Sequence, residues 1–147
     1  MLRVYLKVLL AGMLFAAGNL LSPAASGTLA GETDTMQIKI QNHTFTAVLE
    51  DNPAAQAFAN SLPLTAKMED LNANEKYYYL SQPLPAQPQA VHRIQAGDIM
   101  LFGSDCLVLF YKDFSTPYRY TRLARIQNPG NLAALAGEGT VKVEFKK

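Results

Sequence analysis

The stretch QAGDIMLFGSDCLVLFY, residues 95–111, decides the fold. It reads as two apolar strands, 98–102 and 106–111, joined at Gly103-Ser104-Asp105, a tripeptide of turn formers. Apolar residues run through consecutive positions instead of alternating, so both faces of this hairpin need cover.

Moving toward the C-terminus, residues 112–117 read as a loop. A strand over 118–126 follows, with Tyr120, Arg122, Ala124 and Ile126 on one face. Asn128-Pro129 has the residue types of a helix start, an Asn cap followed by a Pro whose missing N–H costs nothing in a first turn. Leu132, Ala133, Leu135 and Ala136 form its apolar stripe, and Gly137 is placed to end it. Residues 140–146 alternate, with Val141, Val143 and Phe145 inward.

Toward the N-terminus, residues 91–94 predict a short strand. Prolines at 83, 85 and 88 make 81–89 an extended loop, since each fixes φ and removes a donor. Residues 76–80 (KYYYL) are strand-forming by composition, 70–75 are turn-rich, and 64–69 alternate. Asn52-Pro53 predicts a helix carrying Ala54, Ala55, Phe58, Ala59 and Leu62 on one stripe. Residues 36–40 and 43–49 form a hairpin about the two-residue turn Gln41-Asn42, in which Asn42 is able to take a positive φ. About eight short strands and two short Ala-rich helices predict a mainly β fold, a closed antiparallel barrel with a helix over each open end. The helices are also the expected cover for the outer face of the 95–111 hairpin.

The first 26 residues are not expected to belong to the domain. Arg3 and Lys7 precede an uncharged apolar run over 8–21, and Pro23-Ala24-Ala25-Ser26-Gly27 supplies small residues. That order is the pattern of a secretory signal peptide, cleaved near residues 24–26, with 27–35 as a linker and the domain from 36 to 147. A periplasmic or secreted location is the expectation, with no stable membrane insertion after cleavage. Cleavage lowers Lys plus Arg from 13 to 11 against 12 acids and moves the net charge from +1 to −1. No basic block remains for nucleic acid. Cys106 is the single cysteine, so no internal disulfide can form and the apolar core must hold the fold. Two histidines and one cysteine, mutually distant, make no metal-ligand pattern, and no cofactor is expected.

From residue 36 to the end, the chain resembles the bacterial cyclophilin-like domain proteins. The likeness is carried by the hairpin followed by Asn52-Pro53-Ala54-Ala55, by LNANEKYYYL (71–80), by GDIMLFGSDCLVLFY (97–111), by the strand at 120–126 and by Asn128-Pro129. The resemblance implies a cyclophilin-type eight-stranded barrel with two capping helices and no settled activity. True prolyl isomerases of that fold carry Phe-His-Arg, then Phe-Met-x-Gln-Gly-Gly-Asp, with a downstream Phe, Trp and His. Here His92-Arg93 matches the first segment in one register and Gln95-Ala96-Gly97-Asp98 matches the second in another; neither register keeps both the arginine and the glutamine, and the chain has no Trp. The catalytic set is therefore not carried over.

The candidate ligand-binding residues are aromatic and basic. Tyr77 and Tyr79 share a strand face and are expected to wall a pocket with Phe102, Phe110 and Tyr120. Arg122, on the predicted face of Tyr120, has Asp98 and Glu75 as candidate partners, and Arg93 is a second candidate contact. A solvated loop position is expected for His92, and a buried, inert thiol for Cys106. These features favour a non-catalytic module binding a peptide or small molecule. The alternative is a peptidyl-prolyl isomerase with a rearranged site, using Arg93 or Arg122 as carbonyl clamp.

Overall fold

A computed structural model of the chain describes residues 33–147, so the proposed signal peptide and most of the linker lie outside the described residues. Strand β1 (Thr35–Ile40) turns Met36, Ile38 and Ile40 inward and pairs with β2 (His43–Leu49). The turn between them takes its positive φ at Gln41 and not at Asn42, and the Gln41 Nε2 donates to the carbonyl of Leu135 at 3.2 Å. Helix α1 (Pro53–Asn60) starts as its sequence dictates: Asn52 Oδ1 accepts from Ala55 N–H at 2.8 Å. There follow β3 (Leu64–Leu71), β4 (Glu75–Tyr79), the two-residue strands β5 (Gln89–Ala90) and β6 (Arg93–Ile94), then β7 (Asp98–Phe102) and β8 (Cys106–Phe110). The chain ends with β9 (Phe114–Ser115), β10 (Arg119–Ile126), α2 (Leu132–Ala136) and β11 (Val141–Lys146).

Eight of the strands close a barrel in the order β2-β1-β11-β3-β4-β8-β7-β10, and β10 pairs back onto β2 through Ala124↔Leu49 and Ile126↔Ala47. All neighbours are antiparallel. The interior packs Ile38, Phe45, Met68, Ile99, Leu101, Leu107, Leu109, Val143 and Phe145. Ala54 and Phe58 of α1 and Leu132 and Ala136 of α2 join the same core, with Phe58 edge-on to Phe145 at 5.7 Å. Truncating Phe58 removes a fully buried aromatic, a loss of about 3–5 kcal/mol in comparable cores.

The outer face of the β7–β8 hairpin is covered differently from the expectation. Met100, Cys106, Val108 and Phe110 pack there with Val91, Ile94 and Tyr120, and Phe114 closes over them. No helical residue takes part; the cover is the chain after the proline loop, held by the β6–β9 pair. The Asn128-Pro129 start is also displaced. Helix α2 begins at Leu132, Asn131 before it makes no side-chain cap bond, and Leu132 N–H donates to the Pro129 carbonyl in a preceding turn (2.7 Å).

Strand β10 holds the largest departure. Its ladder with β7 runs Thr121↔Leu101 and Arg122↔Met100, then resumes at Ala124↔Ile99, so Leu123 is an extra residue. Tyr120 therefore packs in the outer cluster while Leu123, Ala124 and Ile126 pack inside. The predicted common face of Tyr120 with Ala124 and Ile126 does not form.

Alternation in β4 sends Lys76 into the barrel, where it is fully buried. Its ammonium lies 2.9 Å from Asp70 and donates to the carbonyls of Gly137 (2.8 Å) and Gly139 (2.6 Å). Asp70 also accepts from the Tyr111 hydroxyl (2.6 Å) and from Ala73 N–H (3.2 Å). The Tyr111 hydroxyl and the Lys76 ammonium hold the Asp70 carboxyl below its ordinary value of 3.8. Lys76→Met removes the counter-charge of Asp70 and the donor of two carbonyls and is expected to lower the unfolding free energy by about 3 kcal/mol, read as a lower urea midpoint. A carboxyl with a depressed folded pKa stabilises the fold above its unfolded value and loses that contribution as pH falls through the folded one. Asp70→Asn should therefore flatten the loss of stability below pH 3.8, and an acid limb as steep as wild type would refute the coupling.

Candidate functional site

The barrel wall made by β4, β8, β7 and β10 carries a cleft of about 470 Å³ on its outside. Antiparallel register builds it in rows. Tyr79 opposes Cys106, which opposes Phe102; one row on, Tyr77 opposes Val108. Glu75 begins β4 on the same face, Leu71 and Asn72 close one end, and Tyr118 and Tyr120 stand on the far side. Phe102 lies 6.0 Å from Tyr118 (edge-on, 79°) and 5.6 Å from Tyr120, and Tyr77 meets Tyr79 edge-on at 6.0 Å. Phe110 sits behind Tyr120, with ring centroids 5.5 Å apart.

Exposure marks this cleft out. Among the described residues the large hydrophobic side chains left open to solvent are Leu71 (45%), Tyr79 (64%), Phe102 (46%) and Tyr118 (61%), and all four line it. Folding normally removes such groups from water, and here they are left grouped on one concave surface.

The electrostatics of the lining are acidic. Burial, then the neighbouring Asp70, raises the Glu75 carboxyl above its ordinary value. Burial pushes the Cys106 thiol up to about 11, with the Asp105 and Glu75 carboxylates adding to the effect. The hydrogen bond from Tyr77 to Glu69 (2.7 Å) raises its phenol, and burial followed by the Glu75 charge raises that of Tyr120.

Of the sequence candidates, Tyr77, Tyr79, Phe102 and Tyr120 come together in this cleft, and Phe110 backs it as fully buried core. The arginines do not join them. Arg93 is exposed on β6, 4.0 Å from Asp113. Arg122 opposes Met100 and lines a separate polar hollow with Glu50, Asp51 and Gln87. Neither of its candidate partners pairs with it: Asp98 binds Arg125 at 2.7 Å, and Glu75 faces the cleft. His92 lies in an exposed turn at φ +59°. Tyr118, Glu75 and Cys106 are lining residues that sequence reading did not place at the site. For Tyr118 the signal was present, since it stands two positions from Tyr120 as same-face residues of a strand do.

Among the described residues no three His, Cys, Asp or Glu side chains gather to hold a metal, and no helix is long and apolar enough to cross a membrane.

The profile of the cyclophilin-like family matches residues 38–146, which is most of the chain. The chain belongs to the cyclophilin-like family. Among solved structures, this cyclophilin-like barrel is similar to the hypothetical protein AF2241 from Archaeoglobus fulgidus, known from a solution structure, with a TM-score of 0.54 and 15% identity over 79% of this chain and 95% of that one. At that identity the likeness is one of fold. A search of curated proteins found no match.

Cys106 tests the electrostatics of the cyclophilin-like cleft directly. A rise from 9.0 to about 11 leaves about a hundredfold less thiolate at neutral pH than an unperturbed thiol holds. Alkylation of Cys106 by iodoacetamide is expected to be at least that much slower in the folded protein than in urea. Equal rates would show that the thiol is neither buried nor faced by acids.

Proposed function

We propose that this cyclophilin-like domain is an exported, non-catalytic module that binds a peptide or small molecule in the outer aromatic cleft. The observation that carries the reading is the gathering of every exposed large hydrophobic of the described residues onto one concave surface. Its volume of about 470 Å³ suits a small ligand or one or two peptide side chains. Edge-to-face aromatic pairs hold the walls in fixed orientations, so little side-chain entropy is lost on binding. The non-catalytic part rests on the lining itself: its ionisable groups are one carboxyl, four phenols and one thiol that burial and the nearby acids hold neutral, with no arginine to clamp a carbonyl. The export part rests on Arg3, Lys7 and the apolar run over 8–21. Sequencing the N-terminus of the mature protein is expected to find cleavage near residues 24–26.

Thermal shift of the full chain against a library of peptides and metabolites is expected to give stabilising ligands. Phe102→Ala and Tyr79→Ala should each weaken them by tenfold or more while changing the stability of the free protein by about 1 kcal/mol or less. A library without effect, or ligands insensitive to both substitutions, would overturn the cleft as the binding site. Acceleration of cis–trans exchange in a proline peptide, lost on Arg93→Ala or Arg122→Ala, would replace the reading by the isomerase.

A further inference from the structure

We infer that the ligand presents an ammonium cation, whose methyl or methylene groups lie against Tyr77, Tyr79, Phe102 and Tyr120 and whose charge is answered by Glu75. The inference deepens the binding reading above and rests on it.

The first support is the charge census of the cleft. Glu75 is the sole carboxylate in the lining, and no Lys, Arg or His lines it. The surrounding elements supply no cation either. From β3, Glu69 accepts from Tyr77 at the rim, and Asp70 is held by Lys76. Lys76 itself is turned into the barrel, with its ammonium bound to Asp70 and two carbonyls. The β7–β8 turn adds Asp105, whose charge is felt at Cys106. On β10, Arg119 is drawn away to the Pro88 carbonyl at 2.9 Å.

The second support is Glu75 itself. It is half-buried and makes no hydrogen bond or ion pair among the described residues, whereas its neighbours across the turn, Glu69 and Asp70, are both engaged. A half-buried carboxylate without a partner is costly unless a counter-charge arrives. Its folded environment disfavours the ionised form, through burial and through Asp70, and a bound cation relieves both effects.

The third support is the walls. Each aromatic face carries the negative part of a quadrupole and attracts a cation within about 6 Å of its centroid. The edge-on pairs Tyr77–Tyr79 and Phe102–Tyr118 meet at 76° and 79°, so each makes a near right-angled corner of two ring planes. Corners of this kind surround a tetrahedral ammonium head better than a flat ring does. An anionic ligand would meet Glu75, Glu69 and Asp105 with no cationic side chain in the lining to compensate.

Choline and its uncharged carbon isostere 3,3-dimethyl-1-butanol separate charge from shape, and isothermal titration of the full chain with each is the test. Choline is expected to bind about tenfold tighter or more than the alcohol. In Glu75→Gln, which keeps side-chain size and whose fold is checked by circular dichroism, that preference should fall several-fold. Phe102→Ala should weaken binding of choline. Equal or tighter binding of the alcohol, lost in Phe102→Ala, overturns the cation while leaving the aromatic cleft standing. Choline binding unchanged in both variants overturns the inference by placing the cation elsewhere. Binding of neither probe overturns it as well, and the library screen with Phe102→Ala then decides the cleft on its own.

Discussion

One extra residue in one strand sets the geometry of this molecule. A strand's side chains alternate strictly, so its residues keep one parity from end to end unless the ladder is broken. Strand β10 is broken between Arg122 and Ala124. Before the break its even-numbered residues face outward, and Tyr120 reaches the cleft. After it, Ala124 and Ile126 face the barrel interior, where β10 pairs with β2 and closes the ring. With unbroken alternation, either Tyr120 would enter the core in place of the wall or Ala124 and Ile126 would leave the seam. Closure and cleft are thus two consequences of the same bulge.

The second constraint is the hairpin with two apolar faces. Its inner residues are satisfied by the barrel. Its outer ones are covered by Val91, Ile94 and Phe114, and that cover reaches Met100 and Phe110 but stops short of Phe102. The cleft lies where the cover ends. Adjacent residues of β4 then sort the charges: Lys76 goes inside to Asp70 and the carbonyls of Gly137 and Gly139, and Glu75 goes outside. A cation and an anion side by side in sequence end on opposite faces of the wall. The cation is fully coordinated indoors, so the acid is left unneutralised among the tyrosines.

Much of this could be read before any coordinates. Alternation located β1, β2, β3 and β11, because each buries one face and polar residues mark the other. Asn52-Pro53 announced α1 because cap and first-turn chemistry are local. That Tyr77 and Tyr79 share a face followed from strand parity, and both line the cleft with Phe102 and Tyr120. What escaped was non-local. Nothing in Thr121-Arg122-Leu123-Ala124 signals a bulge, since no Gly or Asn marks it, so Tyr120 was assigned the parity of Ala124. The role of Lys76 depends on carbonyls 61 and 63 residues away, which no window of sequence contains. The start of α2 moved past a turn in which Leu132 N–H donates to the Pro129 carbonyl, where a helix begun at Asn128 would have it donate to Asn128.

The segment that most resembles an isomerase is engaged in building the barrel. Gly97 holds φ +94°, and a Cβ there would lie 3.1 Å from that of Ile126, so the position needs glycine for the close approach of β10. Its carbonyl accepts from Ile126 N–H at 2.9 Å and its N–H donates to Phe110 at 2.8 Å. Asp98 is buried, with one oxygen on Arg125 and the other on Gln95 N–H. Those polar groups have their partners within the barrel already. The unsatisfied groups of the wall lie instead on β4, at the turn of β7 and at the start of β10: Glu75 without a counter-charge, and Tyr79, Phe102 and Tyr118 without cover. Groups that folding leaves unpaired and unburied together are the ones a ligand can satisfy, and this chain places them in a single cleft away from its isomerase-like segment.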